Sequence, residues 1–176
     1  MPHTLISEII CFTFLIVLLS VSMIMFSLYV SSSQISMDQA SLTEVTNYVA
    51  SVLTDLVSIA NSTNSENLVI YRSIEIPMVL NGKGYIITLK EDNNKWYVVG
   101  KFTASRTWLK GQTELWSTDY VKVVDNITKP QYSHLIQYLV NYGITQADKI
   151  YSGAKHPIVW CIKLNGTIYV GIGGKS

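Results

Sequence analysis

Hydrophobic positions along the chain change their rhythm twice, and each change marks a boundary. From Ile9 to Val30 the chain runs 22 residues without a charge, broken in polarity only by Thr13, Ser20, Ser22 and Ser27. As a helix this run measures about 33 Å, enough for the hydrocarbon core of a bilayer. Hydroxyl side chains are tolerated there because they bond back to the preceding turn. The run then thins to a stripe of Leu42, Val45, Val49, Val52, Leu53, Leu56 and Ala60, with Thr43, Glu44, Asn47, Ser51 and Asp55 on the other side. That spacing predicts an amphipathic helix. No Gly and no Pro falls between residues 3 and 76, so one helix from about Leu5 to Ala60, roughly 80 Å long, is expected. Two helices meeting at Ser31-Ser32-Ser33 are the alternative.

After the polar cluster Asn61–Glu66 the period becomes that of strands. Leu68–Tyr71 leads on to Ile74 and Ile76, which alternate and stop at Pro77. Asn81-Gly82-Lys83-Gly84 turns the chain into Tyr85–Leu89, and further strands are expected at Trp96–Val99 and Tyr120–Val124. Ile158–Leu164 and Thr167–Ile172 flank Asn165-Gly166, a pair that supplies the positive φ values of a type I′ hairpin turn. A short helix is expected from Pro130 to Tyr142, with Leu135, Ile136, Leu139 and Val140 inward and Gly143 as its stop. The fold class is therefore α+β: a long N-terminal helix, transmembrane then amphipathic, followed by a mostly antiparallel β-sheet or sandwich head with one short helix. The segments are 1–30, 31–61 and 62–176.

Composition and charge sharpen this reading. Of 176 residues, 48% are hydrophobic and only 14% charged, an apolar balance for one domain and its appendage. Residues 1–71 hold five acidic residues and no Lys or Arg. All 13 basic residues follow, with seven acidic ones, and they form no run. A nucleic-acid surface is not expected from that scatter.

With no basic residue before it and an apolar run longer than a usual signal core, the span reads as a retained anchor. A secretory signal cut at Ser31-Ser32-Ser33 is the alternative. The head is expected outside the cell, where three N-x-[ST] sequons, at Asn61, Asn126 and Asn165, are acceptors for N-glycosylation. Cys11 and Cys161 fall in different elements and are expected as small buried hydrophobes, not a disulfide.

Two strings resemble the archaeal type IV pilin-like proteins, a group of pilins, archaellins and accessory subunits. One is Ile6-Ser7-Glu8-Ile9-Ile10 at the head of the apolar run. The other is Ile76-Pro77 followed by Gly82-x-Gly84-Tyr85-Ile86-Ile87-Thr88-Leu89. Together they cover about the first 90 residues. The resemblance implies a leader removed by a membrane peptidase, and apolar helices that pack together as a filament core, with Glu8, Ile9 and Ile10 at the packing end. In related bacterial pilins a glutamate five residues into the mature chain pairs with a neighbour's terminal amine, and a cut between His3 and Thr4 puts Glu8 there. A carboxylate marking the membrane edge is the other reading of Glu8. Met1-Pro2-His3 departs from the basic residue and Gly or Ala that end family leaders. An unprocessed, anchored accessory subunit is thus expected alongside a filament subunit. The implied partners are the lipid bilayer, other pilin-like subunits or further copies of the chain, and a surface-layer protein.

No catalytic chemistry is expected, and no cofactor or metal. Gly173-Gly174-Lys175-Ser176 lacks the first glycine of a phosphate loop, whose place Tyr169 takes, and reads as a frayed end. His3, His134 and His156 stand far apart without ligand spacing. An anchored binding protein, with Trp96, Trp108, Trp116 and Trp160 as a carbohydrate platform, is a competing class. A tethered hydrolase assembled only on folding ranks last.

Overall fold

The structure, a computed structural model, describes residues 2–93, 95–115, 120–146 and 148–175. The chain divides into two units, Met1–Met37 and Asp38–Ser176. One helix, α1 (Pro2–Ser62), supplies the first unit and enters the second, with helical structure unbroken through Ser31-Ser32-Ser33. The outer part of α1 therefore belongs to the same compact unit as the strands.

In the N-terminal unit the apolar side chains from Ile9 to Val30 are exposed on every face of the helix. The hydroxyls among them are satisfied locally. Thr13 Oγ1 donates to Ile9 O (2.8 Å) and Ser20 Oγ to Ile16 O (2.9 Å), the back-bonding that lets such residues sit in a lipid-facing helix. Cys11 is exposed on this apolar helix surface, and Cys161 is buried in the head as expected.

The C-terminal unit adds β1 (Asn67–Ser73), β2 (Tyr85–Asp92), β3 (Lys95–Phe102), β4 (Lys110–Leu115) and β5 (Val121–Val123). A 3₁₀ turn (Pro130–Tyr132) leads into α2 (Ser133–Asn141). Then come β6 (Ile144–Gln146), β7 (Lys149–Tyr151), β8 (Pro157–Leu164) and β9 (Thr167–Lys175). One sheet has the order β1-β8-β9-β5, with β6 also on β9, and only β5–β9 is parallel. The other is antiparallel, in the order β4-β3-β2-β7. The fold is α+β, with a long N-terminal helix, a mostly antiparallel β head and one short helix.

One side of the outer half of α1 packs against both sheets, and the other side is exposed. The whole expected stripe, Leu42 to Ala60, is buried, and Thr46, Ala50 and Val57 widen it. Leu53 and Val57 share a small gap with Leu115 of β4 and with Val121, Val123 and Val170 of β5 and β9. β8 explains how one sheet serves two neighbours. Ile158, Trp160 and Ile162 point to a cluster with Leu135 and Leu139 of α2, and the alternate residues point to α1. All of Pro157–Ile162 is buried as a result, the burial pattern of a strand covered on both faces.

Gly100 and Gly111 stand opposite each other on β3 and β4 and set the distance of α1 from the second sheet. A Cβ at Gly111 would lie 2.5 Å from the Leu42 carbonyl carbon, and one at Gly100 would lie 3.1 Å from Thr46 Cγ2. Backbone thus rests almost directly on backbone, which only glycine permits. Beside this contact the Thr46 and Thr113 hydroxyls stand 2.8 Å apart, and Thr113 Oγ1 donates to Asn47 Oδ1 (2.7 Å).

Several expectations need correction. Ile136 and Val140 do not face inward; they are 41% and 64% exposed, and Leu135 and Leu139 alone carry the apolar side of α2. Nine residues form under three turns, so only an i, i+4 pair meets the sheet squarely. β1 ends at Ser73, and Ile74 continues burial without continuing the strand. The C-terminal segment is not frayed: Gly174 pairs with Pro157 and Lys175 with Ile144. The Asn165-Gly166 turn has φ of 47° and 80°, as a type I′ turn requires.

Gly111→Ala is expected to destabilise the full-length chain by about 2 kcal/mol or more, because the atom it meets is main chain and cannot rotate away. Thermal unfolding in detergent should show this loss; Gly153→Ala, where a Cβ meets nothing within 4 Å and the cost is only that of alanine at a φ of 80°, should cost less, about 1 kcal/mol.

Candidate functional site

Each unit carries one candidate feature on α1: an apolar surface left open in the N-terminal unit, and a polar clamp at the start of the C-terminal one. The apolar part is long and hydrophobic enough to cross a membrane, and its most apolar stretch is nowhere buried. Glu8, Ile9 and Ile10 lie at its beginning on consecutive helical positions, all exposed, the two isoleucines at 60% and 64%. They present carboxylate and apolar surface on adjoining faces of the helix, since neighbours in sequence are about 100° apart.

The clamp was not legible as such. Asp38 is 2% exposed, and burying a carboxylate is costly unless it is paired and hydrogen-bonded. Three donors meet it. Lys83 Nζ bonds Asp38 Oδ2, Arg106 Nη1 donates to the same oxygen (2.6 Å), and Asn81 Nδ2 donates to Oδ1 (2.9 Å). Burial pushes the Asp38 pKa up, but the hydrogen bonds from Lys83, Asn81 and Arg106 outweigh it, and the carboxyl is held below its ordinary value of 3.8.

The donors come from two tight turns. Asn81 and Gly82 have φ of 50° and 73°, and Leu80 and Lys83 exchange backbone hydrogen bonds of 2.9 Å across them. Arg106 itself has φ of 55°. Next to the first turn, the Tyr85 hydroxyl donates to Pro77 O (2.6 Å), and burial pushes the Tyr85 pKa up to about 12. The string Ile76-Pro77 … Gly82-Lys83-Gly84-Tyr85 therefore does one physical job: it folds a loop back on itself and aims two donors at α1. At the other end of the helix Lys163 Nζ donates to Ala60 O (2.9 Å) and Thr63 O (2.7 Å), satisfying carbonyls that a helix end leaves open.

The three sequon asparagines are exposed but differ in setting. Asn61 lies in the last turn of α1, where the Thr63 hydroxyl is spent on Ile59 O (2.8 Å). Asn165 is the first residue of the β8–β9 turn, and its backbone N–H bonds Glu66 O (3.2 Å). Asn126 sits in a loop as an Asx turn, its Oδ1 accepting from Thr128 N (2.9 Å) and Thr128 Oγ1 (2.7 Å). Of the four tryptophans, Trp96 is half-buried on β3. Trp160 is fully buried over Gly171, Trp108 is 65% exposed, and Trp116 lies outside the described residues. His134 packs edge-on against Tyr169, with ring centroids 5.4 Å apart. No group of three or more His, Cys, Asp or Glu able to hold a metal occurs among the described residues.

Comparison with known proteins finds no matching family model, no matching curated protein and no matching solved structure.

Asp38→Asn is expected to destabilise the fold by about 2–3 kcal/mol. That is less than a fully buried pair would lose, because Lys83 and Arg106 are about a quarter exposed. The same carboxylate has a pH signature. Its folded pKa is depressed, so its contribution is complete above 3.8 and is lost as pH falls below 3.8 through the folded value. Thermal melts between pH 7 and pH 3 should fall less steeply for Asp38→Asn than for the parent chain at the acid end.

Proposed function

We propose that the chain is a type IV pilin-like subunit, structural or accessory, held in the membrane by the apolar part of α1 and assembling with other pilin-like subunits in a cell-surface filament. The observation that carries this reading is the division of labour along one helix. From Ile9 to Val30 it is apolar and exposed all round, and from Asp38 to Ser62 it is amphipathic and locked into a β head. A helix of the first kind needs lipid or copies of itself as surroundings, and both suit the same apolar residues. A helix of the second kind is packed into its head, so the outer part of α1 belongs with the strands. The two resemblance strings support the reading from the sequence side, and the second of them builds the turn that holds Asp38.

In this role Glu8, Ile9 and Ile10 pack at the inner end of the apolar segment, and the head presents its sheets outward. The Asn61, Asn126 and Asn165 side chains, all on the head and all exposed, are then open to modification outside the cell.

The N-terminal sequence and intact mass of the native protein test this, with membranes and sheared surface filaments analysed separately. Recovery in the filament fraction with a start near Thr4 is the expected outcome for a structural subunit, and an intact Met1 confined to membranes for an accessory one. A chain found only in the medium, starting near Ser33, would sink both. Leu18→Lys should also weaken insertion by about 2.5–3.5 kcal/mol, the cost of a lysine at the centre of a spanning helix. Alkaline extraction of membranes should then release more of the variant than of the parent chain.

A further inference from the structure

The basic residues look scattered in the sequence, but the fold gathers five of them on one surface. In the second sheet, Thr88 pairs with Val99 and Lys149, and Lys101 pairs with both Ile86 and Lys110. Side chains alternate along a strand, so Lys90, Lys95, Lys101, Lys110 and Lys149 all emerge on the face turned away from α1. Two of these charges are answered nearby: Lys95 by Glu114 (2.8 Å) and Lys149 by Asp148 (3.7 Å). Among the described residues Lys90, Lys101 and Lys110 have no ion pair. Lys101 and Lys110 stand directly opposite each other across β3 and β4, an arrangement that costs stability by itself. Burial, then the Lys90 and Lys110 charges, hold the Lys101 pKa below its usual range.

The same head carries an answering surface elsewhere. A groove of about 310 Å³ runs between α1 and the Ile74–Leu80 segment, with Val45, Pro77 and Leu80 along it and Glu44 and Glu75 at its edge. Both glutamates are exposed, and among the described residues neither has an ion pair. The groove shares no residue with the lysine face. One copy can therefore offer its lysine face to the groove of the next while keeping its own groove open. A contact of that kind is heterologous and repeats along an open assembly. Long lysine stems suit it, because their methylenes cover apolar groove walls while the ammonium groups reach the carboxylates.

We propose that the outer face of the second sheet, through Lys90, Lys101 and Lys110, docks on the Glu44–Glu75 groove of a second copy of this chain. The proposal rests on the filament reading and names the contact between heads.

A zero-length carbodiimide, which joins ammonium to carboxylate only on contact, tests it on the full-length chain in membranes, using mixed isotope-labelled and unlabelled protein. The expected result is intermolecular peptides joining Lys101 or Lys110 to Glu44 or Glu75. Lys101→Glu/Lys110→Glu alone and Glu44→Lys/Glu75→Lys alone should each lose these cross-links, because each removes one of the two reacting groups and sets like charges against each other. Mixing the two variants should restore cross-linking, because each supplies the charge the other lacks. Cross-links within single chains only, or a mixture that restores nothing, would overturn the proposal. So would loss of binding to anionic vesicles or nucleic acid in the lysine variant while self-association is unchanged. Association through the Ile9–Val30 segment that persists without these cross-links would remove this contact and leave the filament reading standing. A chain that stays single in membranes would remove both.

Discussion

The head depends on how closely a helix can lie on a sheet. Gly100 and Gly111 face each other on neighbouring strands, and their missing side chains let α1 settle with the Leu42 main chain almost touching β4. Any side chain at that place would lift the helix, and the consequences would spread. Leu53, Val57 and Ala60 follow along the same helix into the space before the first sheet, so a displaced Leu42 turn also opens the opposite side. Interiors packed at crystal-like density transmit such a shift instead of absorbing it.

The Asp38 clamp follows from the same geometry. With α1 held close, the Asn81-Gly82 turn and the Arg106 turn come within reach of one helical carboxylate, and Asp38 ends nearly inaccessible to water. A buried ion pair of this kind contributes modestly to net stability, because desolvation offsets much of the attraction. Its larger effect is to penalise any register in which α1 slides or rotates against the head, for then a carboxylate and two cations would be buried or stranded apart. Apolar stripes alone tolerate such slips far better. The clamp therefore converts a greasy helix face into a single defined seat.

Much of this was readable from periodicity. The stripe from Leu42 to Ala60 is buried at every named position, and the strands at Tyr85, Trp96, Ile158 and Thr167 stand where alternation and turn residues put them. What escaped had physical causes. β4 contains Lys110, Gly111, Gln112, Thr113 and Glu114, a polar run with no apolar alternation, because one face is solvated and the other meets helix backbone through a glycine. Asp38 sits among Ser, Gln and Met residues that announce nothing, and its partners lie 43 to 68 residues away. The lysine face was invisible for a similar reason: its members come from four strands, and only register brings them together. Ile136 and Val140 misled because a short helix buries a narrower stripe than its apolar residues offer.

The central claim is that one helix serves two surroundings, apolar contact on all sides for Ile9–Val30 and a fixed head on one side from Asp38 outward. Single cysteines placed along α1 in a Cys11→Ser background, probed in native membranes with a water-soluble, membrane-impermeant thiol reagent, test it most directly. The account predicts no labelling anywhere from residue 9 to 30. From residue 42 to 60 it predicts labelling that follows the helical period, strong at 44, 47, 51 and 55 and absent at 42, 49, 53 and 56. Periodic labelling within 9–30, or uniform labelling within 42–60, would contradict it.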